Sequence, residues 1–82
     1  MDKRIGTITV IITNRAAQAA QVNAILSEYG DAIIGRMGLP YPARGLHIIA
    51  LIVHASTDVV GALTGKLGAL EGIEVRSALA RV

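Results

Sequence analysis

The residues best suited to hold a ligand lie in one segment, residues 35–45, which reads GRMGLPYPARG. Arg36 carries a planar guanidinium whose forked N–H donors match the oxygens of a carboxylate or a phosphate. Gly38 has no side chain, so a ligand can approach the backbone closely there. We therefore expect Arg36 and Gly38 to contact a small ligand, at the point where this segment meets a neighbouring subunit.

A second point that favours anions follows the first predicted strand, in the segment TNRAAQ. Asn14 is a candidate helix N-cap, and Arg15 opens the helix whose first N–H groups attract negative charge. We add Asn14 and Arg15 to the expected ligand-binding residues. The segment lacks the glycine cradle that an acylphosphatase-like loop would need after this strand, and the serines have no nucleophile-elbow motif. We expect no catalytic residues and no enzyme activity.

Metal chemistry has little support in the sequence. There is no cysteine, which excludes thiolate ligands and disulfides. His47 and His54 are the only histidines, and their separation along one predicted strand places them on opposite faces of it. Ordinary hydrogen-bonding roles explain both, and a site shared across a subunit boundary stays open as the alternative. We expect no metal and no cofactor.

The glycines of the segment GALTGKLG, residues 61–68, do not form a phosphate-binding loop. That loop needs four residues between its first glycine and the Gly-Lys pair, then Ser or Thr, whereas Leu67 follows Lys66 here. Gly61, Gly65 and Gly68 instead fall along one flank of a predicted helix. Close packing of that helix on another element and contact with a ligand are the two explanations.

Hydrophobic periodicity predicts the element order β-α-β-β-α-β. The predicted strands are 4–13, 32–39, 46–55 and 73–79, and the segment PYPARG connects the second to the third. One helix runs from 15 to an end at Gly30, and the other starts in the segment STD, 56–58, and ends by Gly72. This order is typical of the ferredoxin-like α+β sandwich, a four-stranded antiparallel sheet with two helices on one face. We predict a single domain over all 82 residues.

The third predicted strand, LHIIALIVHA, is apolar on both of its faces. Its side away from the helices therefore still carries Ile, Leu or Val. Exposed apolar patches of this kind mark interfaces. A chain of this length also has a marginal core. We expect a homodimer or homotetramer.

Composition excludes several partners. The net charge is only +2, from eight basic and six acidic residues that are scattered along the chain, and aromatic residues make up 2%. There is neither a basic stripe nor an aromatic stacking platform, so we expect no direct nucleic-acid binding. The longest uncharged run, residues 45–57, is too short to cross a bilayer. The start of the chain lacks a secretion signal, so we expect a mature cytoplasmic protein.

Three stretches together carry a family resemblance: RMGLP at 36–40, TDVVGALTGKLGALEGIEV at 57–75, and NRAAQAAQVNAIL at 14–26. They are similar to the small regulator family of the iron-only hydrogenase system, over nearly the whole chain. The resemblance implies a stand-alone regulatory domain with an ACT-like fold, also similar to the C-terminal sensing domain of nickel-responsive repressors. Such domains form dimers or tetramers and bind small effectors at subunit interfaces. The His and Cys pattern of the nickel site is absent, so nickel sensing is not implied.

Two functions follow as expectations. The first is a non-enzymatic, oligomeric module that senses a small ligand for the iron-only hydrogenase system. The second is a structural module without a small ligand, which docks onto a hydrogenase-maturation protein through the apolar face of the sheet or an open edge strand.

Overall fold

The computed structural model describes residues 2–13 and 15–80, with side chains of the first helix described from residue 18 onward. The elements are β1 Arg4–Ile12, α1 Arg15–Glu28, β2 Ile33–Tyr41, β3 Leu46–Ala55, α2 Thr57–Gly68 and β4 Ile73–Leu79. Short 3₁₀ turns, Gly30–Ala32 and Pro42–Arg44, flank β2. The sheet order is β2-β3-β1-β4, and all three neighbouring pairs are antiparallel. The predicted ferredoxin-like α+β fold is confirmed.

The core lies between one face of the sheet and the two helices. Strand alternation places every second residue of β1 and β3 on that face, where aliphatic side chains pack together. The helices contribute their apolar stripes, which in α2 consist of the buried Val60, Leu63 and Leu67. The largest fully buried side chains are Ile8, Val10, Ile12, Val22, Leu26, Leu51, Val53, Leu63 and Leu67.

Strand β2 is longer than the sequence predicted. It continues through Pro40 and Tyr41, which lie opposite His47 and Leu46 of β3. The connection is only the Pro42–Arg44 turn, closed by Gly45 at a left-handed φ of 67°. Proline is tolerated here because β2 is an edge strand, where a missing N–H need not break the ladder.

Two helix ends also differ from the prediction. Gly30 does not terminate α1 in the left-handed conformation, since Gly45 and Gly72 are the glycines with positive φ in the described part of the chain. Gly30 instead opens a 3₁₀ turn. Helix α2 ends at Gly68, and Gly72, with φ of 78°, lies in the turn before β4. The Gly72 carbonyl accepts hydrogen bonds from both the N–H and the hydroxyl of Thr13, each 2.9 Å long, which ties that turn to the end of β1.

The face of the sheet away from the helices is open, with exposed apolar side chains on β1, β2 and β3 and the charged Glu74 and Arg76 on β4. The exposed fractions are 71% for Met37, 55% for Leu39, 49% for Tyr41, 47% for Ile52 and 45% for Ile5. Cross-strand register places Met37 opposite Ala50 and Leu39 opposite Ile48. Ile5 lies opposite His54 and Tyr41 opposite Leu46, so these two residues are at opposite ends of the face. We call this surface, with Ile5, Met37, Leu39, Tyr41 and Ile52 as its members, the outer face. Its apolar character agrees with the sequence, and the oligomer expected from it stays a prediction.

Candidate functional site

Two clefts lie at opposite ends of β3, and each contains one of the two histidines. The first, which we call the Arg36 cleft, has a volume of about 230 Å³ and is lined by Ile12, Ala19, Val22, Asn23, Arg36, His47 and Ile49. The second, the His54 cleft, has a volume of about 330 Å³ and is lined by Lys3, Glu28, Tyr29, Asp31, Ala32, His54, Ala55, Ser56 and Val59. The seven-residue separation of the histidines corresponds to roughly 23 Å of extended strand.

A β-bulge decides which residues of β2 enter the Arg36 cleft. Ile33 lies opposite Val53 on the core side, yet Gly35 lies opposite Ile52 on the outer face, so the register shifts between them. After this shift the even-numbered positions face the helices. Arg36 and Gly38 consequently lie opposite Leu51 and Ile49, both of which are buried in the core. Simple alternation would place Ile33, Met37 and Leu39 on one face, and the bulge separates Ile33 from the other two.

The guanidinium of Arg36 is held against α1. Its Nη2 donates a 3.0 Å hydrogen bond to Oδ1 of Asn23. Asn23 is neutral, and the residues lining this cleft include no aspartate or glutamate. Among the described residues, the ion pair is the one between Lys66 and Glu28. Arg36 therefore has no acidic partner there, and its positive charge is uncompensated. A guanidinium in this state favours an anionic ligand with paired oxygens.

Gly38 lies beside His47, which lines the same cleft. A Cβ atom placed on Gly38 would be 3.4 Å from Nε2 of His47, closer than most side-chain contacts. Glycine at this position therefore leaves the imidazole room against the β2 backbone. The structure thus brings together Arg36 and Gly38, two of the four residues expected from the sequence.

The other two expected residues are only partly accounted for. Asn14 lies outside the described residues, and Arg15 is the first residue of α1, with a side chain that is likewise not described. Ile12 at the end of β1 and Ala19 of α1 line the Arg36 cleft, so the β1–α1 connection lies at the same end of the molecule. Sequence reasoning missed Asn23 and did not connect His47 to Arg36, because that link depends on strand register.

The His54 cleft lies where β3 passes into α2. Ser56 is the N-cap of α2, and its Oγ accepts a 3.2 Å hydrogen bond from the N–H of Val59. On the rim, Lys66 Nζ lies 2.7 Å from Oε2 of Glu28 and 5.2 Å from the centre of the Tyr29 ring. The hydrogen bond to Glu28, with a further contribution from Tyr29, raises the pKa of Lys66 above its ordinary value.

The glycine flank of α2 does not pack against another element. A Cβ atom on Gly61, Gly65 or Gly68 would meet nothing within 4 Å. The helix packs instead through Val60, Leu63 and Leu67 on its opposite side. Close packing within the subunit was therefore the wrong explanation for these glycines.

Within residues 2–13 and 15–80, no three or more His, Asp or Glu side chains gather where they could coordinate a metal ion. Over the same part of the chain, neither helix has the length and apolarity needed to span a bilayer.

The protein is a small ferredoxin-like α+β domain with a polar cleft beside its edge strand. A family model described as "Iron-only hydrogenase system regulator, putative" matches residues 4–77, and the chain belongs to this TM1266-like family. Among curated proteins the comparison finds no match.

Solved structures agree with this assignment. The uncharacterized protein TM1266 from Thermotoga maritima superposes with a TM-score of 0.94 at 31% identity, covering 98% of this chain and 100% of that one. A nitrogen regulatory PII-like protein from Thiomonas intermedia K12, bound to ADP, AMP and bicarbonate, gives a TM-score of 0.51 at 16% identity. That comparison covers 96% of this chain and 92% of the other, and it shows the shared fold. The description of the family supports a regulatory role.

Proposed function

We propose that the protein is a non-enzymatic regulator of the iron-only hydrogenase system, acting in the cytoplasm, that senses a small anion in the Arg36 cleft. One observation carries this proposal: Arg36 projects into a cleft without an acidic lining residue and is hydrogen-bonded to the neutral Asn23. The forked donors of the guanidinium suit a carboxylate, a bicarbonate or a phosphate group. Asn14 and Arg15 remain proposed contacts, because Ile12 and Ala19, which precede and follow them in the sequence, line the same cleft.

The size of the cleft narrows the class of effector. A volume of about 230 Å³ corresponds to roughly seven or eight water molecules. This suits a small anion, or the phosphate end of a larger molecule, better than an enclosed nucleotide. The PII-like structure from Thiomonas intermedia is bound to ADP, AMP and bicarbonate, which makes these three molecules rational probes alongside inorganic phosphate.

The test is calorimetric titration of the protein with phosphate, bicarbonate, AMP and ADP at constant ionic strength, because salt screens exposed charges. We expect at least one of these probes to bind and Arg36→Ala to abolish that binding. Arg76→Ala is the matched control, since Arg76 is exposed on β4 and its Nη1 donates to the neighbouring Val75 carbonyl. Equal binding by the wild type and Arg36→Ala would refute the proposal.

A second candidate function, docking to another protein, rests on the outer face. The whole sheet face, with four strands of seven to ten residues each spaced by about 4.8 Å, has a footprint of roughly 500 Å² before side-chain relief is added, and its apolar members lie on β1, β2 and β3. This approaches the roughly 800 Å² per partner of a standard interface. The outer face therefore suits a homodimer or homotetramer, or a hydrogenase-maturation protein.

Light scattering after size exclusion tests the role of the outer face. We expect an oligomer that dissociates in Leu39→Lys and persists in Gln21→Lys, a control exposed on α1. A wild-type monomer that captures a maturation protein through the outer face would instead support docking without self-association. A monomer with no such capture would refute both interface roles.

A further inference from the structure

The His54 cleft has a cationic flank and an anionic flank on either side of one strand end. Arg4 of β1 lies opposite Ala55, so Lys3 leaves β1 beside Ser56. On the other side of β3, Ile33 lies opposite Val53, so the Gly30–Ala32 turn brings Asp31 alongside the same strand end. Each flank is one strand spacing from β3. The two backbones are therefore separated by about 10 Å.

The floor between these flanks is apolar. Ala55 is buried, while Tyr29, Ala32 and Val59 are partly buried and pack against the core. Ser56, also buried, is the polar group at the base, and its Oγ accepts the capping hydrogen bond from Val59. A ligand that follows the floor from one flank to the other must therefore have an apolar middle.

The rim of the His54 cleft carries charges of both signs, whereas no acidic residue lines the Arg36 cleft. Glu28 is already neutralised by Lys66 at 2.7 Å. Lys3 and Asp31 are in no ion pair within the described part of the chain, and they stand on opposite flanks. A simple anion would be attracted to Lys3 and repelled by Asp31, and a simple cation would experience the reverse. Only a molecule with both charges gains at both ends.

We infer that the His54 cleft is a second binding site, separate from the Arg36 cleft, for a linear zwitterion with an apolar middle, such as an ω-amino acid. Its carboxylate lies toward Lys3 and its ammonium group toward Asp31. Its methylene chain packs over Ala55, Ala32 and Val59. The volume of about 330 Å³ accommodates a molecule of this size.

The probe is 6-aminohexanoate, titrated into the full chain and followed by backbone amide NMR shifts. We expect shifts centred on Ala32 and Ser56, together with about tenfold weaker binding of hexanoate and of hexylamine, each of which lacks one charged contact. Leucine, whose charges are adjacent, should also bind more weakly. Absence of shifts at millimolar 6-aminohexanoate overturns the inference, as does equal or tighter binding of any of the three comparison molecules.

Charge reversal provides a second test that does not depend on one variant. Lys3→Glu and Asp31→Lys should each weaken binding of 6-aminohexanoate by about tenfold. The double variant should restore it, because the zwitterion can turn end for end. Arg36→Ala, at the other end of β3, should leave this binding unchanged while it removes phosphate binding, so the two sites can fail independently. If the double variant binds 6-aminohexanoate as weakly as the single variants do, the inference is overturned.

Discussion

The Arg36 cleft and the His54 cleft occupy the two ends of the same central strand, yet they differ in charge balance. The Arg36 cleft contains a guanidinium hydrogen-bonded to a neutral amide, and no acid lines it. The His54 cleft has an apolar floor and charges of both signs, one acid of which is already paired. Their volumes, about 230 and 330 Å³, differ too little to separate ligand classes by size. Charge and its placement on flanking strands distinguish the two clefts.

The largest expected effect comes from a core substitution that should impair both clefts at once. Leu51 is 0% exposed in the middle of β3. Leu51→Ala should lower the free energy of unfolding by about 2–5 kcal/mol, because it removes buried methyl groups and leaves a cavity. A domain this small has little stability in reserve, so both clefts should lose their ligands together. Denaturant unfolding measures this loss, and Gln21→Ala, exposed on α1, should change the free energy of unfolding by less than about 0.5 kcal/mol.

Filling one cleft at a time should separate the two sites. Ala19 lines the Arg36 cleft and Ala32 lines the His54 cleft. Ala19→Leu should reduce phosphate or bicarbonate binding by about tenfold or more and spare 6-aminohexanoate, and Ala32→Leu should do the reverse. Each variant is the control for the other in paired titrations. Loss of both ligands in either variant would show that the two clefts are coupled.

A smaller change tests the geometry of the guanidinium rather than its charge. Arg36→Lys keeps one positive charge but loses the planar fork and the 3.0 Å hydrogen bond to Asn23. We expect anion affinity in the Arg36 cleft to fall several-fold and the free energy of unfolding to fall by about 1 kcal/mol or less. Arg76→Lys should alter neither quantity. Unchanged anion affinity in Arg36→Lys would mean that charge alone accounts for recognition.

The smallest expected effect concerns the ion pair at the rim of the His54 cleft. The hydrogen bond to Glu28 raises the pKa of Lys66 above 10.5 in the folded state. Its contribution to stability is therefore fully present below 10.5 and is lost as the pH rises through the higher folded value. Glu28→Gln should remove this alkaline dependence with a slight, salt-sensitive loss of stability. Thermal unfolding of both proteins across the alkaline range measures the difference.

Much of the fold could be predicted from local pattern. The continuous apolar run LHIIALIVHA and the alternating segment IEVRSAL predicted β3 and β4 with the bounds that the structure has, 46–55 and 73–79. The segment before α2 contained its N-cap, Ser56. These features depend only on residues that are close along the chain. Strand periodicity is a local pattern, and a serine hydroxyl caps a helix by accepting a hydrogen bond from an N–H of the first turn.

The candidate site was less accessible to such reasoning. Arg36 and Gly38 were found from residue type and motif alone. Their partners, Asn23 and His47, were not, since the contacts join residues 13 apart in the case of Arg36 and Asn23 and cross from β2 to β3 for Gly38 and His47. The wrong explanation of Gly61, Gly65 and Gly68 has the same origin, because spacing along a helix does not reveal what lies opposite that flank.

By itself, the amino-acid sequence determined the order of the elements, the third strand that is apolar on both faces, and a guanidinium suited to anions. Only the tertiary structure decided which way that guanidinium points. The bulge between Ile33 and Gly35 reverses the alternation of β2, so Arg36 faces α1 while Met37 and Leu39 face outward. The physical reason is that side-chain direction in a strand has a period of two, so one inserted residue exchanges the faces of all that follow.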